Sequence, residues 1–171
     1  MILKPFTTQL KDFCFKFFLV LVILISQITT SVSQTIGIFY DQKVPQHRFA
    51  ADDIKVVLED KGFIIENLDI SSLTENYKNA KVVIAVKSNK QVAGLLGADN
   101  NQSLSELGEQ AYAFRTTGSP DLSYWVIGGD VNGAMYGGLQ IAENISFNSL
   151  EATYNEEDSP YLKNRGIKFN I

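Results

Sequence analysis

Chemistry has few places to sit in this sequence. His47 is the only histidine among 171 residues. It stands in "PQHRFAADD", beside Arg48 and shortly before Asp52 and Asp53. A histidine can serve a nucleophilic triad, but no serine here lies on a Gly-x-Ser-x-Gly turn. A lone histidine without a cysteine or a second histidine is also a poor metal ligand set. His47 therefore reads as a surface residue near a helix start. Asp52–Asp53 and Glu156–Glu157–Asp158 are the acidic clusters. Neighbouring helix positions point in different directions, so Asp52 and Asp53 do not form a carboxylate pair. The second cluster lies in a linker-like stretch. Both read as solvated surface, and no catalytic residue and no metal site is assigned.

Two further features could bind a ligand. The corner "GGDVNGAMYGG", Gly128 to Gly138, is rich in glycine and carries an aspartate, Asp130, after its first two glycines. Its order is G-G-x-x-x-G, and it follows a late strand of a hairpin. A dinucleotide fingerprint would need G-x-G-x-x-G after the first strand of a βαβ unit. Asp130, Asn132 and Gly133 also lack the distal ligands of a calcium loop. No cofactor is expected. Tyr124 and Trp125 could stack on a sugar ring. In a hairpin strand, however, one of them belongs to the core and the other to inter-domain packing.

These residues need elements to position them. "TIGIFY", Thr35 to Tyr40, is β-rich and reads as a strand. After Pro45, Ala50, Ile54, Val57 and Leu58 recur at helical spacing, and Gly62 suits the position past the helix end. "FIIENL" is the next strand, and Ser71 to Asn79 reads as a loop or short turn. "KVVIAVK", Lys81 to Lys87, has a continuous apolar centre, as a strand covered on both faces requires. "SNKQVAGLLG" reads as a short helix capped by Ser88 and ended by Gly97. "ADNNQSLSELG" reads as a surface loop. "AYAFRT" and "LSYWVIGG" form a hairpin about a turn at Gly118 to Asp121. Asp130 then caps a helix from Val131 to about Ile145. Its apolar stripe is Val131, Ala134, Met135, Leu139, Ala142 and Ile145. Gly133, Gly137 and Gly138 each cost helix propensity, about 1 kcal/mol relative to alanine. Such glycines imply close approach of the helix to a neighbour.

The order β-α-β-β-α-β-β-α implies an α/β (α+β) sandwich, a mixed sheet with helices packed on it. The hydrophobic fraction is 45% and the formal charge −4. No Lys/Arg cluster stands out, which argues against a nucleic-acid partner. Residues 1–33 read as a signal peptide, with a retained membrane anchor as the alternative. Lys4, Lys11 and Lys16 precede the apolar run "FFLVLVILI", and Ser31-Val32-Ser33 resembles a cleavage site. The run is short for a membrane span. Cleavage would leave no stable membrane insertion. It would also remove Cys14, the single cysteine, and leave no thiol in an exported, secreted or periplasmic chain.

Leu107 to Ile145 resembles the small α/β domain in front of the (β/α)₈ barrel of α-glucuronidases and β-N-acetylhexosaminidases. The matching pieces are "EQAYAF" and "WVIGGDVNGAMYGGLQIAENI", with Asp130, Gly133, Tyr136 and Gly137 at the pattern's places. "SPYLKNRGIKFNI", Ser159 to Ile171, resembles the linker and first barrel strand of such enzymes. Asn170 stands where hexosaminidases usually carry aspartate. The helix reads "GLQIAE" where theirs reads Thr-Leu. α-Glucuronidases are thus the nearer match.

The resemblance implies a hexosaminidase-like second-domain fold over 34–150, a linker over 151–164 and the start of a truncated barrel over 165–171. It implies a non-catalytic front domain of a secreted glycoside hydrolase in polysaccharide breakdown, of the type acting on xylan side chains. The paired carboxylates such enzymes use would lie on later barrel strands, and carbohydrate would be bound through that missing barrel. Arg165 matches an arginine that holds sugar hydroxyls in hexosaminidases. The reading from another class is a free-standing carbohydrate-binding or interaction module without hydrolase activity.

Overall fold

A computed structural model describes residues 34–74, 77, 79–97, 104–117, 123–147 and 155–160. The signal-like leader, the turn at Gly118 to Asp121 and the barrel-like stretch 165–171 with Arg165 lie outside the described residues.

The described chain forms one mixed sheet with helices on both faces. Its strands are β1 (Thr35–Tyr40), β2 (Ile64–Asp69), β3 (Ala80–Val86), β4 (Tyr112–Thr117), β5 (Ser123–Gly128) and β6 (Glu156–Asp158). Its helices are α1 (Pro45–Asp60), α2 (Lys90–Leu96) and α3 (Val131–Phe147). Short 3₁₀ turns occupy Ile70–Ser72 and Leu104–Glu106. The strand order is β2-β1-β3-β5-β4-β6. β2, β1, β3 and β5 run parallel, while β4 is antiparallel to both β5 and β6. The expected sandwich with a mixed sheet is thus present. β3 sits inside it, paired on both sides, as its unbroken apolar run requires.

Alternation along the strands divides the core in two. Ile36, Ile38, Val82, Ile84, Phe114, Tyr124 and Val126 point to the face covered by α1 and α3. Phe39, Val83, Ala85, Ala113, Trp125 and Ile127 point to the face covered by α2 and the turns around Leu73 and Leu104. Tyr124 and Trp125 are therefore both core residues, on opposite faces. The indole N–H of Trp125 donates to Thr117 Oγ1 at 2.7 Å. A surface-exposed sugar platform at these two rings is excluded by burial.

Helix ends follow the sequence closely, with one shift. Asp130 Oδ1 accepts from Gly133 N at 2.7 Å, so it caps α3. Gly62 and Gly97 adopt positive φ past the ends of α1 and α2. The cap of α2 is Asn89, whose Oδ1 accepts from Val92 N at 3.1 Å, rather than Ser88. The supposed surface loop before β4 also departs from expectation. Leu104 and Leu107 are buried in the second core. Lys87 Nζ ties this stretch down by donating to Ser105 O and Leu107 O.

The glycines of α3 resolve into separate contacts. A β-carbon on Gly133 would collide with the carbonyl of Ala111. One on Gly137 would lie 2.8 Å from Val126 Cγ1 and 3.0 Å from Tyr112 Cβ. One on Gly138 would lie 2.5 Å from Ala50 Cβ on α1. The buried face of α3 is Gly133, Ala134, Gly137, Gly138, Ile141, Ala142 and Ile145. Val131, Met135 and Leu139, which the apolar pattern includes, are only half-buried. Reading hydrophobicity alone rotated the stripe, because glycine contributes to packing by having no side chain.

A leucine at position 137 must displace Val126 or Tyr112. Gly137→Leu should lower stability by about 1–3 kcal/mol through overpacking. Denaturant midpoints of wild type and variant measure this. An unchanged or raised midpoint would show that α3 does not approach the sheet this closely.

Candidate functional site

The side chains with chemical capacity gather at three places. The first is the β4–β6 edge. Arg115 is largely buried, and its guanidinium pairs with Glu157 and donates to Phe114 O at 2.8 Å. Tyr112 donates its hydroxyl to Asp158 Oδ2 at 3.2 Å, and Thr116 N donates to Asn155 Oδ1 at 3.0 Å. Residues 156–158, which read as linker, are thereby pinned as an edge strand. The acidic cluster is solvent-exposed, as expected, but two of its carboxylates also hold the strand in place. The signal was available in Arg115, a charged residue that directly follows the apolar Ala113 and Phe114 of its strand.

The second place lies around Pro160, where the chain leaves the sheet. A cleft of about 270 Å³ is lined by Gln110, Tyr112, Tyr136, Gln140, Glu143 and Asp158. A neighbouring cleft is bordered by Gly108, Glu109, Ala111, Ser159 and Pro160. Gln110 has φ +60°, the left-handed region that non-glycine residues seldom adopt. It therefore turns the backbone sharply at the mouth of the first cleft. Among the described residues no three His, Cys, Asp or Glu side chains converge to hold a metal. Nor is any helix among them long and apolar enough to cross a membrane. Arg165, the single substrate-binding candidate, lies outside the described residues.

The third place is the N-terminal half of α1. His47 does not lie on the surface. Only 3% of it is exposed, on the same helix face as Ala50, Ala51 and Ile54. Its two ring nitrogens have no hydrogen-bond partner among the described residues. Position 47 is one turn before Ala50 and Ala51, so it continues the apolar stripe; helical spacing carried that information. Its neighbours Arg48 and Phe49 are exposed.

No protein-family model matches the chain, and no curated protein matches it. Among solved structures, it is similar to a GH138 enzyme targeting pectin rhamnogalacturonan II. That match has a TM-score of 0.50 and 14% identity over 76% of this chain. The chain thus shares its fold with a segment of that enzyme. A second structure, CpGH84D, aligns with a TM-score of 0.48 and 19% identity over 72% of this chain. The chain spans 16% of the length of the first enzyme and 19% of the second. At such identities the likeness establishes the fold and leaves the α-glucuronidase assignment to other arguments.

His47 gives a pH prediction. Burial pushes its pKa below the ordinary 6.5, and the charge of Asp41 pulls the other way more weakly. Above pH 6.5 both folded and unfolded chains hold it neutral. Below that value the unfolded chain takes up a proton that the folded chain resists. Stability should therefore fall as pH drops from 6.5 toward the lower folded value. His47→Phe should flatten this part of the profile. Thermal midpoints of both proteins across that range provide the check, and parallel profiles would contradict the buried neutral imidazole.

Proposed function

We propose that this chain is the non-catalytic α/β domain that stands before the catalytic barrel of an exported glycoside hydrolase acting on a polysaccharide. One observation carries the reading. The chain shares its fold with a segment amounting to 16% of a GH138 enzyme, while that match takes up 76% of the chain itself. A domain used in that proportion is one part of a larger machine. The solved relative is described as targeting pectin, which agrees with a role in polysaccharide breakdown.

The finer assignment rests on sequence. Asp130, Gly133, Tyr136 and Gly137 occupy the places of the pattern seen in α-glucuronidases. Three of them have clear physical duties: Asp130 caps α3, and Gly133 and Gly137 admit the sheet. The basic leader and apolar run support export. On this reading the barrel follows Pro160. It would cover the clefts beside Tyr112 and Tyr136, and Arg165 would reach substrate hydroxyls from the first barrel strand. Carbohydrate would then meet the enzyme chiefly through the barrel.

Three of the described carboxylates have structural duties. Glu157 and Asp158 are engaged in holding β6. Asp130 is a helix cap. A glycosidase needs two carboxyl groups facing one bond, about 5–5.5 Å apart for retention or 6.5–9.5 Å for inversion. The purified chain should accordingly show no turnover of aryl α-glucuronides or aryl N-acetyl-β-glucosaminides. Coding sequence beyond Ile171 should continue into barrel strands. Turnover that vanishes on substitution of one carboxylate in this chain would overturn the reading, as would a natural stop codon directly after Ile171.

A further inference from the structure

Among the described residues, the cleft between α3 and the β4–β6 edge is lined by charge of one sign. Its ionised groups are the carboxylates of Glu143 on α3 and Asp158 on β6, and no lysine or arginine joins them. Neither carboxylate is in an ion pair of the described residues. The elements packed around the cleft deepen the imbalance. α3 has no basic residue along its length. Glu156 lies on β6, and Glu106 and Glu109 lie in the stretch before β4. The one cation on these elements, Arg115, pairs with Glu157. Lys87 reaches the stretch before β4 from β3, and its ammonium donates to Ser105 O and Leu107 O.

Asp158 is oriented without being neutralised. Its Oδ2 accepts from the Tyr112 hydroxyl at 3.2 Å and its Oδ1 from Ser159 N at 2.8 Å. Both donors are uncharged, so the negative charge stays. Glu143 is exposed, and its Oε2 meets Gln140 Nε2 only at 3.5 Å. Tyr136 and Leu139 supply the apolar part of the lining.

The nearest stretch of chain has the opposite charge. Pro160 itself lines the cleft. The residues after it, Tyr161 to Ile171, include Lys163, Arg165 and Lys168 and no aspartate or glutamate. Three residues span at most about 11 Å, so the backbone tethers Lys163 near the cleft. A short tether raises the effective concentration of the amine into the millimolar range. In an extended chain, residues two apart share a side, which pairs Tyr161 with Lys163.

We propose that residues 161–163 dock in this cleft, with the Lys163 ammonium between the carboxylates of Glu143 and Asp158. The ammonium donates to both in charge-assisted hydrogen bonds. The Tyr161 ring packs against Tyr136 and Leu139. One exposed ion pair contributes little by itself. Here two carboxylates share one amine, and the tether and the ring contact add to them. The contact sets the direction in which the chain leaves the sheet. It goes beyond the reading of the chain as a front domain, because it gives residues after Pro160 a defined seat whatever domain follows them.

The test is carbodiimide coupling of the purified chain, which joins an amine to a carboxylate at contact distance, followed by peptide mass spectrometry. Lys163 should couple to Glu143 and Asp158 at least about fivefold more than Lys168 couples to any carboxylate. Near 1 M salt, where the screening length is about 3 Å, that coupling should fall at least about threefold. Glu143→Lys should suppress it without lowering the unfolding midpoint. Adding Lys163→Glu to that variant should restore coupling between positions 143 and 163. Coupling of Lys163 no greater than that of Lys168, coupling chiefly to Glu109 in the neighbouring cleft, or no restoration by the charge swap would each overturn the proposal. Coupling as expected in a protein with no barrel downstream would sink the hydrolase-domain reading and leave the docked segment. A full-length hydrolase in which Lys163 fails to couple here would sink the docked segment alone.

Discussion

The structure depends on how closely α3 can lie against the sheet and against α1. Gly133, Gly137 and Gly138 leave no room for a β-carbon at Ala111, Val126 and Ala50 respectively. Three glycines in a helix oppose helix formation by about 1 kcal/mol each. The offset comes from burial: β5 is buried along its whole length, and α3 covers one face of it. Because α3 sits so close, the corner Gly128-Gly129-Asp130 must turn tightly. Asp130 then caps the helix, and Ala111 O accepts from Gly129 N at 2.8 Å. The corner that resembled a ligand loop is thus explained by packing.

A consequence runs along the sheet to its edge. β4 is antiparallel to β5, and its Tyr112 lies beneath Gly137. The same tyrosine reaches Asp158 on β6. The seat of α3, the hairpin and the exit strand therefore share one residue. Arg115 adds a second tie, a largely buried guanidinium shared between Phe114 O and Glu157. Glu157 is 41% exposed, so solvent screens the pair and its geometric role outweighs its energetic one. In the proposed enzyme this edge is where the chain passes toward its catalytic part.

Much of the fold was legible in the sequence because the signals were local. "KVVIAVK" announced an inner strand by unbroken apolarity, and Asp130 announced a helix start by its place before an apolar stripe. One failure was a misread local signal, and the others were non-local. His47 looked like surface because histidine is polar, whereas its helical phase placed it with Ala50 and Ile54. Leu104 and Leu107 sat in polar surroundings, and only the second face of the sheet gave them a core to enter. β6 is three residues long and strongly acidic. Its strand identity comes from Tyr112, Arg115 and Thr116 on its partner, not from its own composition.

In the proposed enzyme the surface beside Pro160 seats the catalytic domain that follows. Hydrogen exchange on this chain alone and on the full-length protein that the proposal implies compares the two directly. Backbone amides of residues 136–143 and 156–160 should gain protection in the full-length protein, while those of β1 and β3 stay unchanged. Identical exchange at 136–143 and 156–160 in both forms would contradict a domain built to carry a barrel at that surface.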